Sequence, residues 1–288
     1  MSTTAELLVL PEAHGVEPVP AHVPPELVRP FPYILGAIAK TDPHSFIKAL
    51  HEGPEVIWAE RCFYGLRGAW VPRKLEDLQH VYYDTEHYTA RGFVTFAELI
   101  GETWYFVPAE LDPPMHEVLR AAINPLFTPK RMAALEEKIR GYAREAVASF
   151  RERGTCEFMH DFAFEFPVKV FLELMGLPQS DVKQFLAWEH GFIHEHDIEK
   201  IKDATRAVVD YLRREIEDRR INPRNDFISF GYGPHLCLGM HLARREMRLA
   251  MEEMLTGLPE FRLKPGADMS YYLAAVIQPV ELPLVWNV

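Results

Sequence analysis

Helical spacing of apolar residues dominates the chain after residue 112. Side chains that recur every three or four residues mark the buried face of an amphipathic helix. Asp112 and Thr128 each precede a proline, which favours a helix start because the first turn does not need the missing N–H. Helices are therefore predicted over Met115 to Asn124, after Thr128-Pro129 through Leu135, Ile139, Tyr142, Ala146 and Phe150, around Val182 to Glu189, and over Ile198 to Arg220.

A last long helix is predicted from Leu238 to Thr256, with one apolar and one charged side. The predicted core-facing residues are Leu242, Met247, Leu249, Ala250, Met254 and Leu255. The predicted solvent-facing residues are Arg244, Arg245, Arg248, Glu252 and Glu253. Met247, Met251 and Met254 are interpreted as core filling and not as a sulfur site.

Short strands and a proline-rich arm are predicted ahead of the helices. Glu55 to Ala59 and Gly68 to Pro72 are rich in β-branched and aromatic residues and predict a small sheet. Prolines between residues 11 and 32 favour an extended arm over 1–32, and Asp42-Pro43 predicts a helix that continues to His51. With further strands in the tail, such as Tyr271 to Ile277, we expect one mainly helical domain over 1–288.

Composition and charge narrow the class of protein. The 288 residues are 48% hydrophobic and 25% charged, which is typical of a globular chain with a sizeable core. A net charge of −11 argues against nucleic acid or an anionic membrane as a partner. The three cysteines are too few and too scattered for a disulfide framework, and the N-terminal residues lack the apolar core of a leader. A cytoplasmic monomer is expected.

The residues with the clearest chemistry lie just before the last predicted helix, in Phe230-Gly231-Tyr232-Gly233-Pro234-His235-Leu236-Cys237-Leu238-Gly239. Two glycines permit a tight turn, and Cys237 falls at a helix N-terminus, where backbone N–H groups and the helix dipole stabilise an anion. A thiol there has a lowered pKa, so Cys237 is a candidate soft-metal ligand or nucleophile. Gly239 leaves room for a flat group to approach the backbone.

This segment resembles the cysteine-ligand loop of the cytochromes P450, the heme-thiolate monooxygenases. The resemblance implies a mainly helical P450 fold with small sheets and a heme b cofactor. It implies that Cys237 binds the iron, that Phe230 shields the sulfur, and that His235 hydrogen-bonds a heme propionate. The run from Asp112-Pro113-Pro114 to Arg120 is similar to the family's propionate-binding helix, on which His116 and Arg120 share a face. Taken alone, that pair is equally compatible with a solvated helical face.

The resemblance covers nearly the whole chain and is strongest to soluble bacterial camphor hydroxylases. It assigns Phe96, Trp104, Ala275 and Val276 to the substrate pocket, with Trp104 in the place of a tyrosine that hydrogen-bonds the ketone of camphor. It implies hydroxylation of another compact substrate, a bicyclic monoterpenoid, by O2 with electrons from NAD(P)H through a reductase and an iron–sulfur ferredoxin. The cationic face predicted for the ferredoxin comprises Arg120, Lys130, Arg131, Arg244, Arg245 and Arg248.

One departure from the family pattern is large. The family has a distal oxygen-binding helix with an acid–alcohol pair, followed by a Glu-x-x-Arg helix, where this chain runs directly from Ser229 into Phe230. An internal deletion is inferred there, so no catalytic acid or alcohol is assigned. Glu137-Lys138-Ile139-Arg140 matches the motif in a different helix and is interpreted as coincidence. The alternative function is a truncated heme-binding protein without coupled turnover.

Spacing alone suggests two other metal sites. His190, His194 and His196 could approach one metal ion, but a solvated helix end is favoured because the Glu of a His-Glu-x-x-His arrangement is missing. Cys237 and His241 could bind zinc from one helix face, but no Cys-x-x-Cys partner supports that.

Overall fold

The computed structural model describes residues 8–9, 17–30, 37–39, 51–63, 67–92, 94, 96–195, 197–222, 239–273 and 277–288. The α-helices in these ranges are α1 (Leu75–Tyr83), α2 (Phe96–Leu99), α3 (Met115–Ile123), α4 (Pro129–Ala134), α5 (Glu136–Phe150), α6 (Glu165–Met175), α7 (Val182–Ile193), α8 (Ile198–Ile221) and α9 (Met240–Gly257). The strands are β1 (Leu8–Val9), β2 (Val28–Pro30), β3 (Ala37–Ala39), β4 (Val56–Phe63), β5 (Arg67–Pro72), β6 (Thr155–Glu157), β7 (Phe261–Leu263), β8 (Tyr271–Leu273), β9 (Ile277–Pro279) and β10 (Pro283–Trp286).

Most predicted elements are confirmed. The helix predicted over Met115 to Asn124 is α3, the series through Phe150 is α5, and the two helices after Val182 are α7 and α8. The helix predicted after Asp42-Pro43 lies outside the described residues. A mainly helical chain with small sheets is thus confirmed, and within its described part every helix is too short or too polar to span a bilayer.

The chain divides into two compact units, and the first holds most of the strands. It comprises residues 1–88, 189–201 and 268–281. One sheet has the order β2-β4-β5, with β2 parallel to β4, and the other has the order β1-β3-β8-β9 with antiparallel pairs. In its described part the predicted arm is extended at Val28–Pro30, which forms β2, but not at Pro25–Leu27, which forms a 3-10 turn. Proline is tolerated there because β2 is an edge strand.

The β4–β5 hairpin is fixed by a tryptophan pair. Trp58 and Trp70 face each other across the strands, with ring centroids 5.3 Å apart in an edge-to-face arrangement. Gly68 lies against the Trp58 indole so closely that a Cβ at this position would sit 2.5 Å from the indole nitrogen. Glycine is therefore required at residue 68 for the indole to keep this position.

The second unit contains the larger core and comprises residues 89–188, 202–267 and 282–288. Its centre is formed by α5 and α9, whose facing side chains are fully buried, among them Ile139, Ala143, Phe150 and Leu249. The sheet β6-β10-β7 closes one side, where Trp286 of β10 packs on Phe150 with ring centroids 6.0 Å apart. This core positions the starts of α3 and α9, which carry the candidate site. The predicted single domain over 1–288 stays a prediction.

The face of α9 differs from the prediction at three positions. Met247 and Leu255 are 60% and 63% exposed, whereas Glu253 is buried. The reason is that α5 packs against the side of α9 that carries Leu242, Leu249, Ala250 and Met254, and arginines of α5 pair with Glu253 from that side. Met251 is also exposed, so Met247, Met251 and Leu255 form a second apolar stripe, called here the outer stripe of α9. Only Met254 of the three methionines fills the core.

Candidate functional site

The loop before α3 is held in place by Asp112. Its carboxylate accepts the N–H of Ala90 at 2.9 Å and the hydroxyl of Thr89 at 2.5 Å. The residue directly before α3 is Pro114, with no side-chain cap. Asp112 therefore does not cap the helix with its side chain, as its position ahead of two prolines suggested, but ties residues 89–90 to the start of α3.

His116 and Arg120 are the buried polar residues of α3. Their exposed fractions are 2% and 5%, whereas Glu117, Val118 and Ala121 on the same helix are exposed. Because the two residues are four positions apart, they lie one turn apart on one face. The solvated-face alternative is wrong for this pair. Imidazole and guanidinium groups are the donors that carboxylates favour, and hydrogen bonds to them strengthen away from water, so this donor set fits the propionates of a heme.

The cysteine loop itself lies outside the described residues, including Phe230, Gly231, Gly233, His235 and Cys237. Gly239 is described, and it directly precedes α9, with its carbonyl accepting the N–H of Ala243 at 2.7 Å. The helix predicted after the loop therefore exists, and it begins at Met240, two positions later than expected. Cys237 stands three residues ahead of a helix N-terminus, and its role as iron ligand stays a prediction.

Two of the four predicted substrate residues are described. Phe96 is the first residue of α2, and Trp104 lies in the following loop, half-buried. The indole N–H of Trp104 donates to Oε2 of Glu102 at 2.7 Å. Ala275 and Val276 lie outside the described residues, between β8 and β9. The substrate roles of all four stay predictions.

A buried carboxylate that the sequence analysis missed fixes the segment carrying Phe96 and Trp104. Glu110 is 2% exposed and accepts the backbone N–H groups of Val94 at 3.1 Å and Phe106 at 2.6 Å. The two backbone donors replace the hydrogen bonds from water that the carboxylate loses on burial. No sequence signal marks Glu110, because an isolated glutamate in a loop ordinarily predicts an exposed side chain.

An ion-pair network joins α5 to α9. Arg140 donates to Glu252 and Glu253 at 2.7 Å each, and Glu136 binds both Arg245 and Arg248. Arg140 holds the pKa of the Glu252 carboxyl below its usual range, chiefly by this hydrogen bond. Glu137 makes none of these four bonds to α9, and the interpretation of the Glu-x-x-Arg match as coincidence stays a prediction.

This network changes the predicted cationic face. Arg120 is buried, and Arg245 and Arg248 are paired with Glu136, so these three do not present free positive charge to a partner. Lys130 and Arg244 are exposed, while the side chain of Arg131 lies outside the described ones. The cationic face is therefore smaller than predicted.

The histidines of the alternative metal site are only partly described. The rings of His190 and His194 have centroids 5.5 Å apart, and Nε2 of His194 lies 2.9 Å from the amide nitrogen of Gln278. His194 is buried, which contradicts the expected solvated helix end at that residue. Within the described ranges, no group of three or more His, Cys, Asp or Glu side chains is arranged to hold a metal ion, and His196 lies outside them.

Comparison with solved structures identifies the fold. The crystal structure of CYP101J2 superposes with a TM-score of 0.76 at 20% identity, covering 93% of this chain and 100% of that one. The structure of cytochrome P450 CYP101C1 gives a TM-score of 0.72 at 18% identity, covering 94% and 100%. At these identities the likeness shows the fold alone, which is mainly helical with small sheets.

Sequence comparison gives the family. The family model "Cytochrome P450" matches residues 210–270, which include the cysteine loop and α9. A probable cytochrome P450 127A1 of Sinorhizobium fredii is 34% identical over 261 residues, covering 88% of this chain and 62% of the relative. The chain matches the cytochrome P450 family, and this match implies a heme cofactor. It spans 62% of the length of that relative.

Proposed function

We propose that this chain is a heme-thiolate monooxygenase that hydroxylates a small apolar substrate in the cytoplasm. The observation that carries the proposal is the burial of His116 and Arg120 on one face of α3. A pair of buried donors one helical turn apart has a clear use in binding a carboxylate-bearing cofactor and little use in an ordinary core.

The residues of this chain have separate roles in the proposal. Cys237 binds the iron, His116, Arg120 and His235 hold the propionates, and Phe230 shields the sulfur from water. Gly231 and Gly233 allow the turn, and Gly239 lets the cofactor approach the start of α9. When bound, a thiolate-ligated heme supplies oxygen activation, because the thiolate increases the electron density that favours O–O cleavage.

The proposed substrate is a bicyclic monoterpenoid that contacts Phe96, Trp104, Ala275 and Val276. Phe96 and Trp104 sit in a segment that buried Glu110 holds in place, which supports a defined apolar wall. The test is to add compact terpenoids to the heme-loaded protein and to measure the spin-state change and the hydroxylated product formed per NAD(P)H consumed. A Trp104→Ala variant should change which compounds shift the spin state. If the same compounds shift the spin state in Trp104→Ala and in the unmodified protein, Trp104 belongs to the core and not to the substrate pocket.

The proposed electron donor is an acidic iron–sulfur ferredoxin with its NAD(P)H-dependent reductase. Lys130 and Arg244 are the exposed cations that remain of the predicted face. A Lys130→Gln/Arg244→Gln variant should lower ferredoxin-supported turnover and weaken its salt dependence, because exposed charges act over a Debye length of about 8–10 Å. Arg206→Gln is the control, since Arg206 is exposed on α8 and pairs with Asp203. Equal turnover in the unmodified protein, in Lys130→Gln/Arg244→Gln and in Arg206→Gln would refute a role for this face.

A second candidate function is heme binding without coupled turnover. Two observations favour it: the direct junction of Ser229 and Phe230, and the exposure of the outer stripe of α9 at Met247, Met251 and Leu255. Without a distal wall, no protein group would exclude water from the heme or supply protons there. Intact mass spectrometry separates the cases, because a mass near 33.2 kDa supports a real deletion. Coupled hydroxylation by that species would reject this second function.

A further inference from the structure

The indole N–H of Trp104 is held by an ionic hydrogen-bond cluster. Oε2 of Glu102 accepts from Nε1 of Trp104 at 2.7 Å and from Nη2 of Arg213 at 2.6 Å, while Oε1 accepts from Nη1 of Arg213 at 3.1 Å. All three residues belong to the second unit, and Arg213 lies in the middle of α8. The two-pronged guanidinium fixes the carboxylate plane, and the carboxylate in turn fixes the indole.

The strength of this bond decides what Trp104 can offer a substrate. A hydrogen bond to an ionised carboxylate is roughly twice as strong as one to a neutral carbonyl. Glu102 is kept ionised, because hydrogen bonds from Arg213 and then from Trp104 lower the pKa of its carboxyl. Asp210 is a further charge near the cluster and favours the charged form of Arg213. A substrate ketone would therefore compete poorly with Glu102 for the indole N–H.

We propose that Glu102 and Arg213 are positioning residues for Trp104, and that they make Trp104 an apolar contact that favours a hydrocarbon skeleton over a ketone. This inference rests on the proposed function, because it assigns Trp104 to the substrate pocket. It differs from the role of the tyrosine that the resemblance places at this position, which hydrogen-bonds the ketone of camphor. The substrate class at this position is then a compact hydrocarbon recognised by ring contact.

The first test follows the Trp104 indole N–H directly by NMR of the ferrous, carbon monoxide-bound holoprotein, with the resonance assigned by its loss in Trp104→Phe. Glu102→Ala and Arg213→Gln should both shift the resonance, whereas Arg206→Gln, which removes another arginine of α8 that pairs with a carboxylate, should not. The indole of Trp286 donates to the carbonyl of Arg151 at 2.9 Å and serves as an internal reference. An unchanged chemical shift of the Trp104 indole N–H in both Glu102→Ala and Arg213→Gln would overturn the inference.

The second test compares two ligands of one skeleton, the ketone camphor and the hydrocarbon bornane, by spin-state titration. Trp104→Phe removes the N–H and keeps an apolar ring, so it should change both dissociation constants by the same factor, within about twofold. Glu102→Ala frees the N–H and should raise the preference for the ketone about fivefold, the equivalent of one neutral hydrogen bond. The double variant Glu102→Ala/Trp104→Phe should lose that gain.

The outcomes separate this inference from the proposed function. If Trp104→Phe weakens camphor about tenfold or more and spares bornane, the N–H donates to the substrate and the inference is wrong. If the unmodified protein binds neither ligand, the proposed substrate class fails, and the NMR test alone decides whether Glu102 and Arg213 position Trp104.

Discussion

Replacing Arg120 with leucine tests the propionate site most directly. Arg120 is 5% exposed and lies one turn from His116, which is 2% exposed, so the site is shielded from water. Leucine keeps much of the buried stem and removes the charged donor. The melting temperature of the apoprotein is measured alongside, because removing one buried charge also changes stability when it leaves another polar group unpaired.

The expected effect on heme binding is large enough to measure. A hydrogen bond that involves a charged group contributes about 1.5–3 kcal/mol, which corresponds to roughly 10- to 150-fold in heme affinity. The assay is the rate of heme loss to an excess of a heme-scavenging protein. Arg120→Lys should lose heme at an intermediate rate, because lysine keeps the charge but not the planar fork.

Arg206→Leu is the control for Arg120→Leu, since Arg206 is an exposed arginine of α8. It should retain heme as the unmodified protein does. Equal rates of heme loss in Arg120→Leu and Arg206→Leu, measured on proteins that circular dichroism shows to be folded, would refute the role of Arg120.

Three further predictions concern pH dependence and packing. Burial raises the pKa of Glu246 to about 7, so the folded state keeps a proton that the unfolded state loses above about pH 4.5. The free energy of unfolding therefore falls by roughly 3 kcal/mol as pH rises from about 4.5 to about 7. In chemical denaturation at pH 8, Glu246→Gln should be more stable than the unmodified protein, and equal stability of these two proteins would contradict this. Leu249→Ala should lower the free energy of unfolding by about 2–5 kcal/mol because Leu249 is fully buried, whereas Met247→Ala at the exposed outer stripe should lower it by under about 0.5 kcal/mol. Equal losses in a denaturant titration would contradict the packing of α9. Gly68→Ala should lower the melting temperature measured by circular dichroism, because the added Cβ meets the Trp58 indole. In a Trp58→Ala background the same substitution should not lower it further. A lower melting temperature of Gly68→Ala/Trp58→Ala than of Trp58→Ala alone would show another cause.

The positions of helices follow from the sequence because their signals are local. The proline entry after Asp112 predicted α3, and apolar residues at helical spacing predicted α5, α7, α8 and α9. The pairing of β2 with β4 was missed, since strand partners are set by contacts distant in sequence and prolines ordinarily disfavour a strand.

Residue environments were less predictable than elements. Leu249 and Met247 are both apolar residues of α9, and only the position of α5 makes the first buried and the second exposed. Glu253 and Glu110 are buried because arginines or backbone N–H groups reach them from other segments, which no local pattern reveals. For the site, the four-residue spacing predicted that His116 and Arg120 share a face. The burial of Arg120 depends on the tertiary fold and was not predicted.

The cysteine ligand is the central claim, and one spectrum tests it most directly. The heme-loaded protein is reduced and exposed to carbon monoxide, together with Cys237→Ser and the control Cys156→Ser, a thiol whose pKa burial raises to about 11. Thiolate ligation by Cys237 predicts a red-shifted Soret band in the unmodified protein and in Cys156→Ser, and its loss in Cys237→Ser. A Soret band of the ordinary histidine type in the unmodified protein, or a spectrum unchanged in Cys237→Ser, would contradict the account.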